Sequence, residues 1–73
     1  MKPTIVSIEN VDTTSQRITW KSEFSASGYE VFYKEKDNNY SLLGSVKKKT
    51  SFNAKNLISG EKYFYRIRAY IEV

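Results

Sequence analysis

The sequence predicts an all-β fold, a small sandwich or barrel, on three observations. β-branched and aromatic residues recur with period two along several short runs, the pattern of strands with one buried face. Turn-forming residues break the chain roughly every 8–12 residues, the spacing of short antiparallel strands. No stretch keeps apolar residues at i, i+3, i+4 and i+7, so no helical face can form. A chain of 73 residues has room for one domain, and residues 1–73 read as that single domain.

The elements follow in order. Ile5 to Ile8, just after Pro3, reads as an edge strand, because proline cannot donate to a ladder. Asp12-Thr13-Thr14-Ser15 makes a turn. Arg17 to Lys21 is a second strand, with Ile18 and Trp20 on one face and Arg17, Thr19 and Lys21 on the other. Ser25 to Gly28 breaks the chain, after which Tyr29, Val31 and Tyr33 alternate with Glu30, Phe32 and Lys34. Asp37-Asn38-Asn39 is a strong turn signal, since these side chains tolerate positive φ. Tyr40 to Val46 is a weaker strand with Gly44 at a bulge. Lys47-Lys48-Lys49 leads into a run from Thr50 to Leu57, where Phe52 and Ala54 share a face. Last, Tyr63, Tyr65, Ile67 and Ala69 alternate with Phe64, Arg66, Arg68 and Tyr70. The expected core is Ile8, Ile18, Trp20, Tyr29, Val31, Tyr33, Leu43, Phe52, Leu57, Tyr63, Tyr65, Ile67 and Ala69.

Composition narrows the function classes. The chain has no histidine and no cysteine, which removes the common zinc sites, disulfides, thiol nucleophiles and the imidazole base together. Eight acidic residues are present, but few are placed as a pair, and a sandwich of this size has little room for the carboxylate-flanked cleft a glycosidase needs. Nine serines are scattered through turns without a base to activate one. Gly28, Gly44 and Gly60 are isolated and form no phosphate cradle, and Asp37-Asn38-Asn39 lacks the spaced carboxylates of a calcium loop. The expectation is a non-enzyme with no catalytic residue, no metal ligand and no cofactor. The opening segment from Met1 to Val6 has no apolar stretch of signal-peptide length, and no apolar run approaches the roughly 20 residues of a membrane helix.

Three motifs in order resemble the fibronectin type III domain. Ile18-Thr19-Trp20 is similar to the family's second strand with its core tryptophan, and Gly28-Tyr29-Glu30-Val31-Phe32-Tyr33 to its third. The stretch Leu57-Ile58-Ser59-Gly60-Glu61-Lys62-Tyr63-Phe64-Tyr65-Arg66-Ile67-Arg68-Ala69-Tyr70 is similar to the family's Leu, turn, Tyr and alternating Arg pattern. The resemblance runs from about Ile5 to Tyr70, and the Ala-Ser-Gly-Tyr-Glu-Val wording is most like copies in secreted and cell-wall proteins of bacteria. It implies an immunoglobulin-like β-sandwich of about six strands in two antiparallel sheets, with Trp20, Leu57 and Tyr63 in structural roles. Tyr63 falls at the family's tyrosine corner, although a plain core aromatic would fit the same position. Such sandwiches have seven strands in about 100 residues, so the resemblance also implies a last strand that is missing or supplied by a partner. The edge beside Tyr63–Tyr70 would then stand open to pairing between chains.

Two surface features are candidate sites. If Tyr63, Tyr65 and Ile67 point inward, strict alternation puts Phe64, Arg66, Arg68 and Tyr70 outward, with Phe32 on the neighbouring strand. That is either an interaction surface rich in hot-spot residue types or a cross-strand Phe32–Phe64 pair covered by arginines. Lys47, Lys48 and Lys49 either contact a polyanion or guard a strand edge against aggregation. The resemblance implies an accessory or spacer module of a larger extracellular or cell-surface protein, contacting neighbouring domains and weakly a protein or glycan, with no membrane partner. The alternatives are a self-associating domain that completes its sheet by strand pairing in trans, as a homodimer, and a small β-barrel binding nucleic acid or another polyanion. A net charge of +4 permits the last, but the order of the family motifs argues against nucleic acid.

Overall fold

The computed structural model describes residues 2–73; Met1, part of the opening segment read above for signal-peptide character, lies outside the described residues. Six strands are formed: β1 (Ile5–Asp12), β2 (Ser15–Trp20), β3 (Gly28–Glu35), β4 (Ser41–Val46), β5 (Ser51–Ala54) and β6 (Tyr63–Tyr70). They make two antiparallel three-stranded sheets, β1-β2-β5 and β4-β3-β6, packed as a sandwich. No strand is shared between the sheets, so the architecture is a sandwich rather than a closed barrel.

Each strand arises from its alternation. In β6, Tyr65, Ile67 and Ala69 are buried while Arg66 and Arg68 are exposed. On β3, Tyr29 and Val31 are buried, and the strand pairs with β6 along its whole length, Val31 opposite Ile67. From the other sheet, Ile18 and Trp20 of β2 and Ala54 of β5 complete the interior. Trp20 and Tyr29 meet edge to face across the two sheets, ring centroids 5.5 Å apart. This arrangement lets the positive ring edge of one face the π-cloud of the other.

The turns are chemically specified. Asp12 Oδ1 accepts hydrogen bonds from the Thr14 N–H at 2.9 Å and the Ser15 hydroxyl at 2.8 Å, tightening the β1–β2 hairpin. The Ser15 hydroxyl bond, with the Thr14 amide, holds the Asp12 carboxyl below its ordinary pKa. Gly60 has φ of +86°, the left-handed region where only glycine is unstrained, so the β5–β6 connection turns there.

Four expectations need correction. Ile8 is not in the core: it is 44% exposed, and Val6 beside it is 60% exposed. The reason is that β1 is the edge strand of its sheet, paired on one side with β2 and open on the other. Strand β1 also runs on to Asp12 rather than ending at Ile8, because pairing with β2 continues to Asp12 opposite Ser15. Strand β5 is shorter than the run from Thr50 to Leu57, since pairing to β2 ends at Ala54 and Asn56 adopts a left-handed φ of 61°. Leu57 nevertheless is buried, and its N–H donates to the Thr14 carbonyl at 2.9 Å. Finally, the bulge in β4 falls at Leu43, between Gly44 opposite Val31 and Leu42 opposite Phe32. Gly44 instead leaves room for the ring of Phe52, whose Cζ lies 2.7 Å from where a Cβ would stand.

Candidate interaction face and the unpaired sheet edge

Alternation along β3 and β6 assembles the outer face of the β4-β3-β6 sheet. Register sets Phe32 opposite Arg66, Lys34 opposite Phe64 and Glu30 opposite Arg68. Phe32 and Phe64 are therefore diagonal neighbours, not a directly facing pair. Tyr70 covers Gly28, where a Cβ would run into the Tyr70 hydroxyl and stand 2.7 Å from the Val46 carbonyl oxygen.

The rings of this face support cations. The Arg66 guanidinium lies 4.5 Å from the Tyr40 ring centroid, and the Lys34 ammonium 5.4 Å from the same ring. Lys34 and Lys62 lie 5.5 and 5.4 Å from the Phe64 ring. Such contacts hold a charge in place at about 0.5–1 kcal/mol each on an exposed surface. Beside them a shallow cavity of about 360 Å³ is lined by Lys2, Phe32, Tyr40, Arg66, Ile67 and Arg68. Tyr40 is the member sequence reasoning missed. It lies just before β4, where alternation says nothing about direction.

Among the described residues the one ion pair is Lys47–Glu72, at 4.0 Å and exposed. Arg66, Arg68, Lys34 and Lys62 thus have no carboxylate within that distance. Lys48 sits at φ of 56°, and all three lysines Lys47, Lys48 and Lys49 are exposed on the β4–β5 connection.

The second feature is the side of the sandwich shared by β1 and β6. Among the described residues β6 pairs only with β3, so its other edge offers unpaired N–H and C=O groups. A separate cleft of about 710 Å³ lies between the end of the β1–β2 hairpin, with Asn10, Asp12 and Gln16, and the β5–β6 connection, with Leu57, Ile58 and Tyr63. Its apolar rim includes Ile58, 60% exposed.

Tyr63 lines this cleft, and the tyrosine hydroxyls brace the loops and sheets. The Ile58 N–H donates to the Tyr63 hydroxyl at 2.8 Å, tying the β5–β6 connection to the start of β6. Tyr29 does the same for the β2–β3 loop, accepting from the Glu23 N–H at 2.8 Å, a role its core position concealed in the sequence. Tyr65 donates its hydroxyl to Gln16 Oε1 at 2.7 Å, joining the two sheets. Burial first, then the neighbouring Tyr63 and Tyr33, pushes the Tyr65 phenol up to about 12. Tyr33 and Tyr63 stack with centroids 6.1 Å apart. No group of three or more Asp and Glu side chains comes together as a metal site among the described residues.

Two facing antiparallel sheets with a tryptophan core and a loop-bracing tyrosine define an immunoglobulin-like β-sandwich. Within that class the fibronectin type III domain model matches residues 1–73, and the chain belongs to the fibronectin type III family. Among solved structures it is similar to the chicken CNTN1 FN1–FN3 domains, at 18% identity with a TM-score of 0.78 over 96% of this chain. It spans 27% of that structure. It is also similar to a computationally redesigned β-sandwich protein, at 21% identity and a TM-score of 0.77, covering 99% of this chain and 76% of that one. No curated protein matches the chain.

Proposed function

We propose that the chain is a non-catalytic accessory module of a larger extracellular or cell-surface protein, spacing or presenting its neighbours and making weak contacts through the β4-β3-β6 face. The observation that carries this reading is the pairing of a family built for modular use with a face of ring-supported cations that meet no carboxylate of their own. Its relative in the CNTN1 structure is a run of three such domains in one chain, of which this chain matches about one. Fold alone does not deliver function, so the test addresses context. An antibody to an exposed loop of this chain should detect, in source cells and medium, a band much larger than 8.5 kDa in the surface or secreted fraction. A free band of the chain's own size in the cytosol would overturn the reading.

A second reading, self-association by strand pairing in trans, is favoured by the unpaired β6 edge together with the uncovered β1 residues Val6 and Ile8. Molar mass over a wide dilution series tests it. A concentration-dependent dimer supports the reading, and a monomer at every concentration removes it.

A further inference from the structure

We infer that the outer face of the β4-β3-β6 sheet is a binding site for an acidic polysaccharide, one carrying sulfate or carboxylate groups. The inference names the ligand class for the contact reading above and rests on it. The immunoblot asks where the chain resides and the titration below asks what its face binds, so either can fail alone.

The charge on this face is unbalanced. Lys2, Lys34, Lys62, Arg66 and Arg68 gather around Phe32, Tyr40 and Phe64, while Glu30 is the one acidic residue whose strand register places it among them. Arg66 and Arg68 project from the same face of β6 at a spacing of about 7 Å, set by the strand rise. A guanidinium resting on a ring keeps its N–H fork free for a bidentate bond to carboxylate or sulfate, and stacking fixes its direction beforehand.

The same rings decide between classes of anion. Single-stranded nucleic acid needs open aromatic faces on which bases stack. Here Tyr40 carries Arg66 and Lys34, and Phe64 carries Lys34 and Lys62, so those faces are already in use. An acidic peptide could reach the arginines through its side chains, and the polyglutamate arm of the test separates it from a polysaccharide. What the face presents is a nearly flat array of fixed positive charges. A single chain of acidic sugars can lie along such an array, whereas a rigid DNA duplex touches it only along a narrow line.

The test is a titration of the full chain with heparin, polygalacturonate, neutral dextran, polyglutamate and a short DNA duplex. Two variants are compared: Arg66→Gln/Arg68→Gln, and Lys47→Gln/Lys48→Gln/Lys49→Gln, which removes more charge from a different place. The expected result is binding to heparin and polygalacturonate at about 50 mM salt, with log K falling linearly against log salt. The arginine variant should weaken it about tenfold and reduce the salt slope by about one unit per arginine. The lysine variant should weaken it less than about threefold, the response of a long-range field alone. Thermal unfolding of each variant confirms that it folds. A lysine variant as impaired as the arginine variant would reduce the site to net charge and overturn the inference. So would tighter binding of duplex DNA or polyglutamate at equal charge concentration, equal binding of dextran, or no binding of the acidic polysaccharides at all.

Discussion

Tyr63, Tyr29 and Tyr65 look alike in the sequence, each an aromatic in an alternating strand, yet their hydroxyls do different things. Tyr63→Phe leaves the Ile58 N–H without its acceptor, but Ile58 is exposed and water can replace the lost bond. The expected cost in chemical denaturation is therefore about 0.5–1.5 kcal/mol. Tyr65→Phe reads out differently, through pH. The folded-state pKa of Tyr65 is about 12 and its ordinary value 10.0, so the neutral phenol is favoured by folding. The stability this gives is fully present below about pH 10 and is lost as pH rises through the folded value of about 12. Thermal unfolding of the native chain should thus fall across that window more steeply than that of Tyr65→Phe; parallel profiles would refute the assignment. The glycines separate in the same way. Gly28→Ala drives a methyl toward the Val46 carbonyl oxygen 2.7 Å away, backbone that cannot yield, and should cost about 1–3 kcal/mol. The sequence marked Gly28 as a turn residue and gave no sign that Tyr70 and Val46 close over it. Such close approaches are made by partners distant in the chain, which local pattern does not record.

At the scale of elements, legibility followed the number of sheets involved. Strands β2 and β3 are the central strands of their sheets and β6 pairs with β3 along its whole length, so one face of each is buried and the period-two pattern reports it directly. Strand β1 carries a similar pattern with a different outcome, because alternation marks which side of a strand is apolar, not whether anything lies over it. Ile5 packs against the core while Val6 and Ile8 stand exposed. Ile8→Thr should accordingly change stability by less than about 0.5 kcal/mol, as for an ordinary surface site. Ile18→Ala, in the strand next to it, should cost about 2–5 kcal/mol, because Ile18 is fully buried between the sheets. A large loss from Ile8→Thr in denaturant unfolding would mean that a further strand covers β1 in solution. The candidate face had the same partial legibility. Phe32, Phe64, Arg66 and Arg68 were placed outward by alternation, while Tyr40, which supports both Arg66 and Lys34, follows a turn and required the folded chain to be found.

For the molecule as a whole, the two surfaces respond to salt in opposite directions, and this separates them. Two β6 strands pairing antiparallel about Ile67 would set Arg66 of one copy against Arg68 of the other on the same face. Like charges directly opposite are destabilising, and each copy adds a net charge of +4 to the repulsion. Raising salt from about 0.1 M to about 1 M shortens the screening length from about 10 Å to about 3 Å and removes most of that penalty. A dimer built on the β6 edge should therefore strengthen with salt, while binding of an acidic polysaccharide to the outer face should weaken. Sedimentation of the chain at both salt concentrations measures the first, and Arg68→Glu supplies the control. That substitution turns repulsion into attraction across the paired edge, so it should promote the dimer at low salt while impairing polysaccharide binding. A dimer that instead weakens with salt and is unchanged by Arg68→Glu would assign self-association to another surface and leave the β6 edge unpaired between copies.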